Sequence, residues 1–138
     1  MKKLILLLLF IPLISFSQKK EIELNKLERT PIYPGCKANF ENKKLIGCFQ
    51  KKILRHIARN FRYPEIAEKM GIQGRVFVQF IIGTDGYIDQ IKTRGPDPVL
   101  EAEAKRIILL IPKLTPGRVD GKAVRVPFSV PINFKLRK

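Results

Sequence analysis

The 138-residue sequence is poor in the residues that build catalytic and metal sites, with one histidine, two cysteines and no tryptophan. A structural zinc site takes four Cys, His or acidic ligands, and the two cysteines do not form a Cys-x-x-Cys pair. The chain shows no Ser/His/Asp grouping, no pair of acids placed for a plausible pocket and no phosphate-binding loop. The sequence therefore predicts a protein that is not an enzyme and has neither a metal site nor a cofactor.

Long apolar runs are also missing, apart from one stretch of 13 residues from Leu4 to Phe16. Lysines precede this stretch, and the small residues Ser15 and Ser17 follow its core two positions apart. This is the pattern of a cleaved secretory signal, and the run is shorter than the roughly 20 apolar residues of a membrane-spanning helix. Residues 1–17 are therefore predicted to be a signal peptide, with a short membrane anchor as the alternative.

Acidic residues are scarce: the chain has 12 Asp and Glu but 27 Lys and Arg, which gives a net charge of +15. Loss of residues 1–17 would remove Lys2 and Lys3 and lower this charge to +13. So basic a surface can attract nucleic acid, anionic lipid or acidic protein, or it can serve solubility alone. Export removes nucleic acid from the expected partners.

The two cysteines, Cys36 and Cys48, lie close together in a chain that is predicted to be exported. One disulfide is the simplest outcome in an oxidising compartment. Closing so short a loop stabilises a fold by about 3 kcal/mol in the chain-entropy description. We therefore divide the chain into the signal, an extension over 18–48 with the disulfide loop, and a domain over 49–138.

Apolar periodicity predicts three helices in that domain. The first covers 49–59, with His56 on its more polar side and hence exposed, and the second is a short helix over 64–70. The third begins at Asp97, a good N-cap, followed by Pro98 at the first helical position, and ends before Pro112.

Alternating apolar residues predict strands between and after these helices. Residues 76–82 and 87–93 flank an Asp-Gly turn and predict a hairpin. The apolar spacing of its second strand departs from two, which indicates a β-bulge near Asp89–Gln90. Residues 123–136 alternate strictly and predict a last strand. Helices and antiparallel strands together indicate an α+β fold.

Two prolines on the same side of the last strand carry the functional argument. Alternate residues of a strand direct their backbone groups to opposite neighbours, so Pro127 and Pro131 both lack a donor toward one side. Prolines are tolerated in this way only where no ladder is formed, so 123–136 is predicted to be an edge strand. The edge is either blunted by its prolines and charges or used to dock a strand from another protein.

Several short motifs resemble those of the C-terminal domain of TonB, the inner-membrane energy transducer of Gram-negative bacteria. They begin at Tyr63-Pro64, continue through Gly71-Ile72-Gln73-Gly74-Arg75-Val76 and Asp85-Gly86, and include Leu100-Glu101 with Ala102 and Ala104. Pro116-Gly117, Gly121, Val126-Pro127-Phe128 and Pro131-Ile132-Asn133-Phe134 complete them. The resemblance covers about residues 49–136 in one unbroken order.

The resemblance implies a three-stranded antiparallel sheet with two to three helices on one face. It also implies a location in the periplasm and a partner, the TonB box of an outer-membrane TonB-dependent transporter, which would add as a strand to the last strand of the sheet. The implied partner contacts are Asn60, Phe61 and Arg62 before the Tyr-Pro pair, and Val124, Arg125, Val126, Phe128, Ser129, Val130, Ile132, Asn133, Phe134 and Lys135 in the last strand.

The same resemblance frames the expected function. A periplasmic domain of this kind would dock the TonB box and support energy-coupled transmembrane transport. If the apolar run of residues 4–16 stayed in the inner membrane, contact with the ExbB–ExbD proton motor would also be expected. A homodimer through the open edge is a further expectation. The alternative is a basic envelope adaptor that binds peptidoglycan or anionic lipid without energy transduction.

Overall fold

The computed structural model describes residues 21–137, so the predicted signal over 1–17 lies outside the described residues. A 3-10 turn, Leu24–Lys26, precedes the helices α1 (Asn42–Asn60), α2 (Glu65–Lys69) and α3 (Pro98–Leu109). The strands are β1 (Gly74–Ile82), β2 (Ile88–Arg94), β3 (Gly117–Val119), β4 (Lys122–Val124) and β5 (Val126–Phe134). Antiparallel β2, β1 and β5 form a three-stranded sheet in that order. The predicted α+β fold is confirmed.

Helix α1 begins at Asn42, before the predicted start at residue 49, because Leu45 extends the buried stripe by one turn. The stripe continues through Phe49 and Ile53 to His56, at helical spacing. The prediction of an exposed His56 is wrong: the residue is 9% exposed, and Nε2 lies 2.8 Å from the carbonyl oxygen of Ile107 on α3. His56 therefore joins the two helices.

The hairpin and its bulge are confirmed. The register of β1 against β2 shifts between Gln79 and Ile81, opposite Gln90, whose φ of 45° lies in the left-handed region. In the connecting turn, Gly86 has a φ of 86°, and a Cβ atom there would lie 1.9 Å from the carbonyl oxygen of Leu114. Only glycine allows this approach, which ties the turn to the loop after α3.

Helix α3 starts as predicted, with the Asp97 carboxylate accepting a hydrogen bond from the Val99 amide at 2.8 Å. Its apolar stripe is fully buried against the sheet: Leu100, Ala104, Ile107 and Ile108. Glu101 accepts from the Thr93 hydroxyl at 3.0 Å and from the Gly95 amide at 3.1 Å. These bonds fasten the end of β2 to the helix.

The predicted last strand over 123–136 is interrupted at Arg125. Asp120 and Gly121, both with positive φ, turn the chain back so that β4 pairs with β3. The chain then changes partner, and β5 pairs with β1 over nine consecutive residues from Val126 to Phe134. Strict alternation continues through both strands because both lie against the same core.

The residues before α1 pack on the domain. Ile32 pairs with Thr115 and Arg29 with Arg118, and Leu27 and Tyr33 are buried in the common core. The predicted disulfide between Cys36 and Cys48 is present, with Cα atoms 6.1 Å apart. Because Cys48 lies within α1, the bridge fastens this segment to the first helix.

Candidate strand-docking edge

The outer side of β5 is a sheet edge. In the strand order β2-β1-β5, β5 has β1 on one side and no neighbouring strand of the described residues on the other. Pro127 lies opposite Ile81 and Pro131 opposite Phe77. Because proline has no amide donor, these positions must be the non-hydrogen-bonded pairs of the antiparallel ladder. The backbone groups of odd-numbered residues therefore point away from β1.

Two hydrogen bonds beyond the ends of β5 support this assignment. The carbonyl of Arg125 accepts from the amide of Ile22 at 2.9 Å, on the side away from β1. At the other end, the amide of Leu136 donates to the side-chain oxygen of Gln73 at 3.1 Å, in the segment that leads into β1. At both ends of the strand, the backbone groups of odd-numbered residues thus point outward and those of even-numbered residues point toward β1.

The open edge offers more acceptors than donors. Carbonyl groups point outward at Pro127, Ser129, Pro131 and Asn133, whereas amides point outward only at Ser129 and Asn133 within β5. The side chains of Ser129, Pro131 and Asn133 are exposed. This pattern can accept an added strand, with fewer bonds than an edge without prolines.

The even-numbered members of the predicted contact set lie on the inner face of the sheet. Val126, Val130, Ile132 and Phe134 are buried, and Phe128 is half-buried with its ring 4.9 Å from that of Phe49. Their side chains hold the edge against the core. Val124 pairs with Gly117 in the separate β3–β4 hairpin rather than in the three-stranded sheet.

Arg125 differs from the solvated cation that a strand edge would suggest. The residue is 8% exposed, and Nη1 donates to the Asp89 carboxylate at 2.9 Å. Its Nε and Nη2 atoms are buried without hydrogen-bond partners. Since the Arg125 carbonyl is bonded to Ile22, the unoccupied part of the edge begins at Pro127.

The second predicted contact segment, Asn60–Arg62, is held by a half-buried ion pair on α3, in which the Glu103 side chain is 8% exposed and that of Arg106 is 36% exposed. The Arg62 amide donates to the Glu103 carboxylate at 2.8 Å, and Arg106 Nε donates to the same carboxylate at 2.6 Å. The hydrogen bond from Glu103 raises the pKa of the Arg106 guanidinium, against the lowering effect of burial. This clamp fixes the backbone between α1 and α2.

Phe61 connects the two predicted contact segments. Its ring lies 5.2 Å from that of Phe134, the last residue of β5, and 6.2 Å from that of Tyr63. The structure thus brings Phe61 to the far end of the edge, whereas the side chain of Asn60 turns back to donate to the His56 carbonyl at 2.9 Å.

Two residues important to this site escaped the sequence argument. Glu103 is an acid on the apolar stripe of α3, three residues after Leu100 and four before Ile107, and that position signals a buried partner. Ile22 carries no comparable signal, because its pairing with Arg125 joins residues about a hundred positions apart.

Two features are absent from residues 21–137. No helix in this part of the chain is long and apolar enough to cross a membrane. Likewise, these residues contain no grouping of three or more His, Cys, Asp or Glu that could hold a metal ion.

The fold and the edge define an α+β domain whose three-stranded antiparallel sheet keeps one long edge unpaired within the described residues. Residues 59–136 match the family described as the Gram-negative bacterial TonB protein C-terminal. This match covers more than half of the chain, which therefore belongs to the TonB C-terminal family. Members are periplasmic domains that take part in TonB-type energy transduction through contacts with outer-membrane transporters.

A solved structure agrees with this assignment. The NMR solution structure of the Helicobacter pylori TonB C-terminal domain is 28% identical over 73% of this chain and 88% of that one, with a TM-score of 0.52. A shorter form of the same domain is 30% identical over 65% of this chain and 96% of that one, with a TM-score of 0.45. No curated protein shows a significant match.

Proposed function

We propose that the open edge of β5 docks the TonB box of an outer-membrane transporter by strand addition, and that this supports energy-coupled transport. The observation that carries the proposal is the parity of the edge. Both prolines lie at positions that face away from β1, so an outward set of backbone acceptors is presented without loss to the sheet. The edge is also exposed at Ser129, Pro131 and Asn133.

The proposal includes a location and further contacts. The chain acts in the periplasm after export by residues 1–17; if that segment remains as an inner-membrane anchor, the ExbB–ExbD motor is an additional partner. A second copy could compete for the same edge, because an edge that accepts one extended strand accepts others.

The test is a titration of the chain from Gln18, the predicted mature form, with TonB-box peptides from transporters of the same organism, followed by NMR of backbone amides. Saturable shifts at Ser129, Asn133 and Lys135 are expected, with little change at Lys92 and Arg94 on the opposite edge. Strand addition joins uncharged backbone groups, so the shifts should persist at high salt, where exposed charges are screened. If these amides stay still at every peptide concentration, the proposal is wrong.

One surface favours a second candidate, the basic envelope adaptor. A groove between α1 and the loop after α3 is lined by Lys52, Arg55 and Arg59, together with Tyr33 and Pro112, and contains no acidic side chain. Peptidoglycan fragments or anionic lipid would bind such a groove through charge. This binding should weaken steeply with salt and should shift the amides of α1 while leaving those of β5 unchanged.

A further inference from the structure

Helix α1 carries an apolar strip beside its buried face. Ile46, Leu54 and Ile57 lie on one side of the helix at helical spacing, with the polar Gln50 between them, and Phe61 follows directly after the helix. Leu54 is 60% exposed, and Ile57 and Phe61 are half-buried. The described contacts do not explain why a large apolar side chain at Leu54 should face solvent.

The position of α1 shows which side of the domain this strip occupies. The helix lies along β5, since the ring of Phe49 meets that of Phe128 at 4.9 Å and that of Phe61 meets Phe134 at 5.2 Å. His56 Nε2, 2.8 Å from the Ile107 carbonyl, marks the side that faces α3. The strip lies on the opposite flank of α1, where Ile46 lines a cavity together with Leu24 and Phe128, so it begins on the side of the helix toward the outer edge of β5.

The chain itself already occupies the first part of this space. The Ile22 amide donates to the outward carbonyl of Arg125 at 2.9 Å. Two residues later, Leu24 lines a small cavity of about 10 Å³ together with Ile46, Phe49 and Phe128. A segment paired at the start of the edge thus places an apolar side chain between β5 and the beginning of the strip.

A strand added along the rest of the edge would extend this arrangement. It would lie about 4.8 Å outside β5, with alternate side chains on opposite faces of the sheet. Those on the face of Phe128 and Val130 would point toward α1, and those on the face of Ser129 and Asn133 would point toward solvent.

We infer that the apolar strip of exposed Leu54 and half-buried Ile57 is the side-chain half of the docking site and selects extended segments with apolar residues at alternate positions. The inference rests on the proposed strand addition at β5. It adds a requirement that backbone pairing alone does not impose: every second residue of the partner segment is apolar, and the residues between them are free to be polar.

The experiment compares Leu54→Asp with Leu109→Asp. Leu109 lies on α3 and is 59% exposed, so the two substitutions place the same charge at equally exposed leucines. A TonB-box peptide that shifts the Ser129 and Asn133 amides should bind Leu54→Asp about tenfold or more weakly, as the loss of one buried leucine contact predicts. Its affinity for Leu109→Asp should stay within about twofold of wild type. Thermal melting of both variants checks that each is folded.

A second arm changes the peptide and leaves the protein intact. Apolar residues at alternate positions are replaced by Asn in one peptide, and the intervening residues in another. The first set should weaken binding about tenfold and the second should leave it nearly unchanged. Edge amides that shift equally in Leu54→Asp, together with equal loss in both peptide sets, would overturn the inference and leave strand addition standing. A complete absence of peptide binding to the wild-type chain would instead overturn both.

Discussion

The three-stranded sheet has two outer edges, and they are protected in different ways. The outer strand β2 is short, interrupted by the bulge at Gln90 and fastened to α3 through Glu101. The outer strand β5 is regular over nine residue pairs and bears two outward prolines. A bulge twists an edge and breaks its hydrogen-bond pattern, whereas prolines remove donors and leave the acceptors in place.

This difference shows how the β5 edge can resist unspecific strand pairing and still accept a partner strand. An edge with all its donors and acceptors would pair with any exposed strand. With amides facing outward only at Ser129 and Asn133 within β5, backbone pairing there is weakened, and a partner must gain affinity from side chains as well. On the β2 side, Lys92 and Arg94 are exposed next to the bulge, which discourages pairing altogether.

The largest expected effect comes from moving a proline by one residue. Val130 pairs with Val78 in the ladder to β1, and both side chains are buried. Val130→Pro would remove a ladder donor and leave a buried carbonyl unpaired, which we expect to destabilise the domain by about 3 kcal/mol. Ser129→Pro faces outward, so the free energy of unfolding in urea should change by less than about 1 kcal/mol.

Ser129→Pro should affect peptide binding more than it affects stability. Ser129→Pro removes an outward donor and should weaken a TonB-box peptide about fivefold to tenfold. Ser129→Ala, which keeps the amide, is the matched control and should bind like the wild type. If Ser129→Pro unfolds the domain and Val130→Pro does not, the assignment of the edge is inverted.

Local patterns in the sequence were sufficient for the features that depend on near neighbours. The N-cap at Asp97, the bulge near Gln90 and the edge character of β5 all follow from residue type and spacing within a few positions. The start of α1 could have been found too, because Leu45 continues the stripe of Phe49 and Ile53. The predicted disulfide placed Cys48 in a loop, although the apolar spacing around it indicates a helix.

Features that depend on distant partners were beyond those patterns. The residues before and after a break in a strand can show the same alternation of apolar and polar side chains. Nothing local therefore indicates that the chain changes partner at Arg125. The burial of His56 requires α3 to lie beside α1, and the pairing of Ile22 with Arg125 joins opposite ends of the described chain. The sequence therefore predicted that the candidate site is a sheet edge. It did not predict that Ile22 already occupies the start of that edge.

The next effect in size concerns Asp89 on β2, whose carboxylate reaches across the sheet to Arg125 beside β5. Asp89→Ala would leave the buried guanidinium of Arg125 without this acceptor, and we expect a loss of about 2 kcal/mol. Arg125→Met removes the buried charge itself and should cost less, since Asp89 is half-exposed and can be hydrated. Urea unfolding measures both; an equal or larger loss in Arg125→Met would contradict this account.

The smallest effect lies at Tyr63, which packs against Phe134 at the far end of β5 and donates its hydroxyl hydrogen to the Ile72 carbonyl. Burial, with a smaller contribution from the Glu68 charge, raises the pKa of Tyr63 above its ordinary value of 10.0. The unfolded chain therefore ionises first, so the stability from this group is complete below pH 10 and is lost as the pH rises through the raised pKa.

Tyr63→Phe tests this end of the edge. At pH 7 the variant should be less stable by about 1 kcal/mol, because the Ile72 carbonyl loses its donor. Above pH 10 the wild type alone carries the loss from Tyr63 ionisation, so the stability gap between the two proteins should narrow. Tyr33, whose pKa is also raised by burial, is present in both proteins and cancels from the difference. A gap that stays constant or widens between pH 9 and pH 11 would show that the Tyr63 hydroxyl is not held as described.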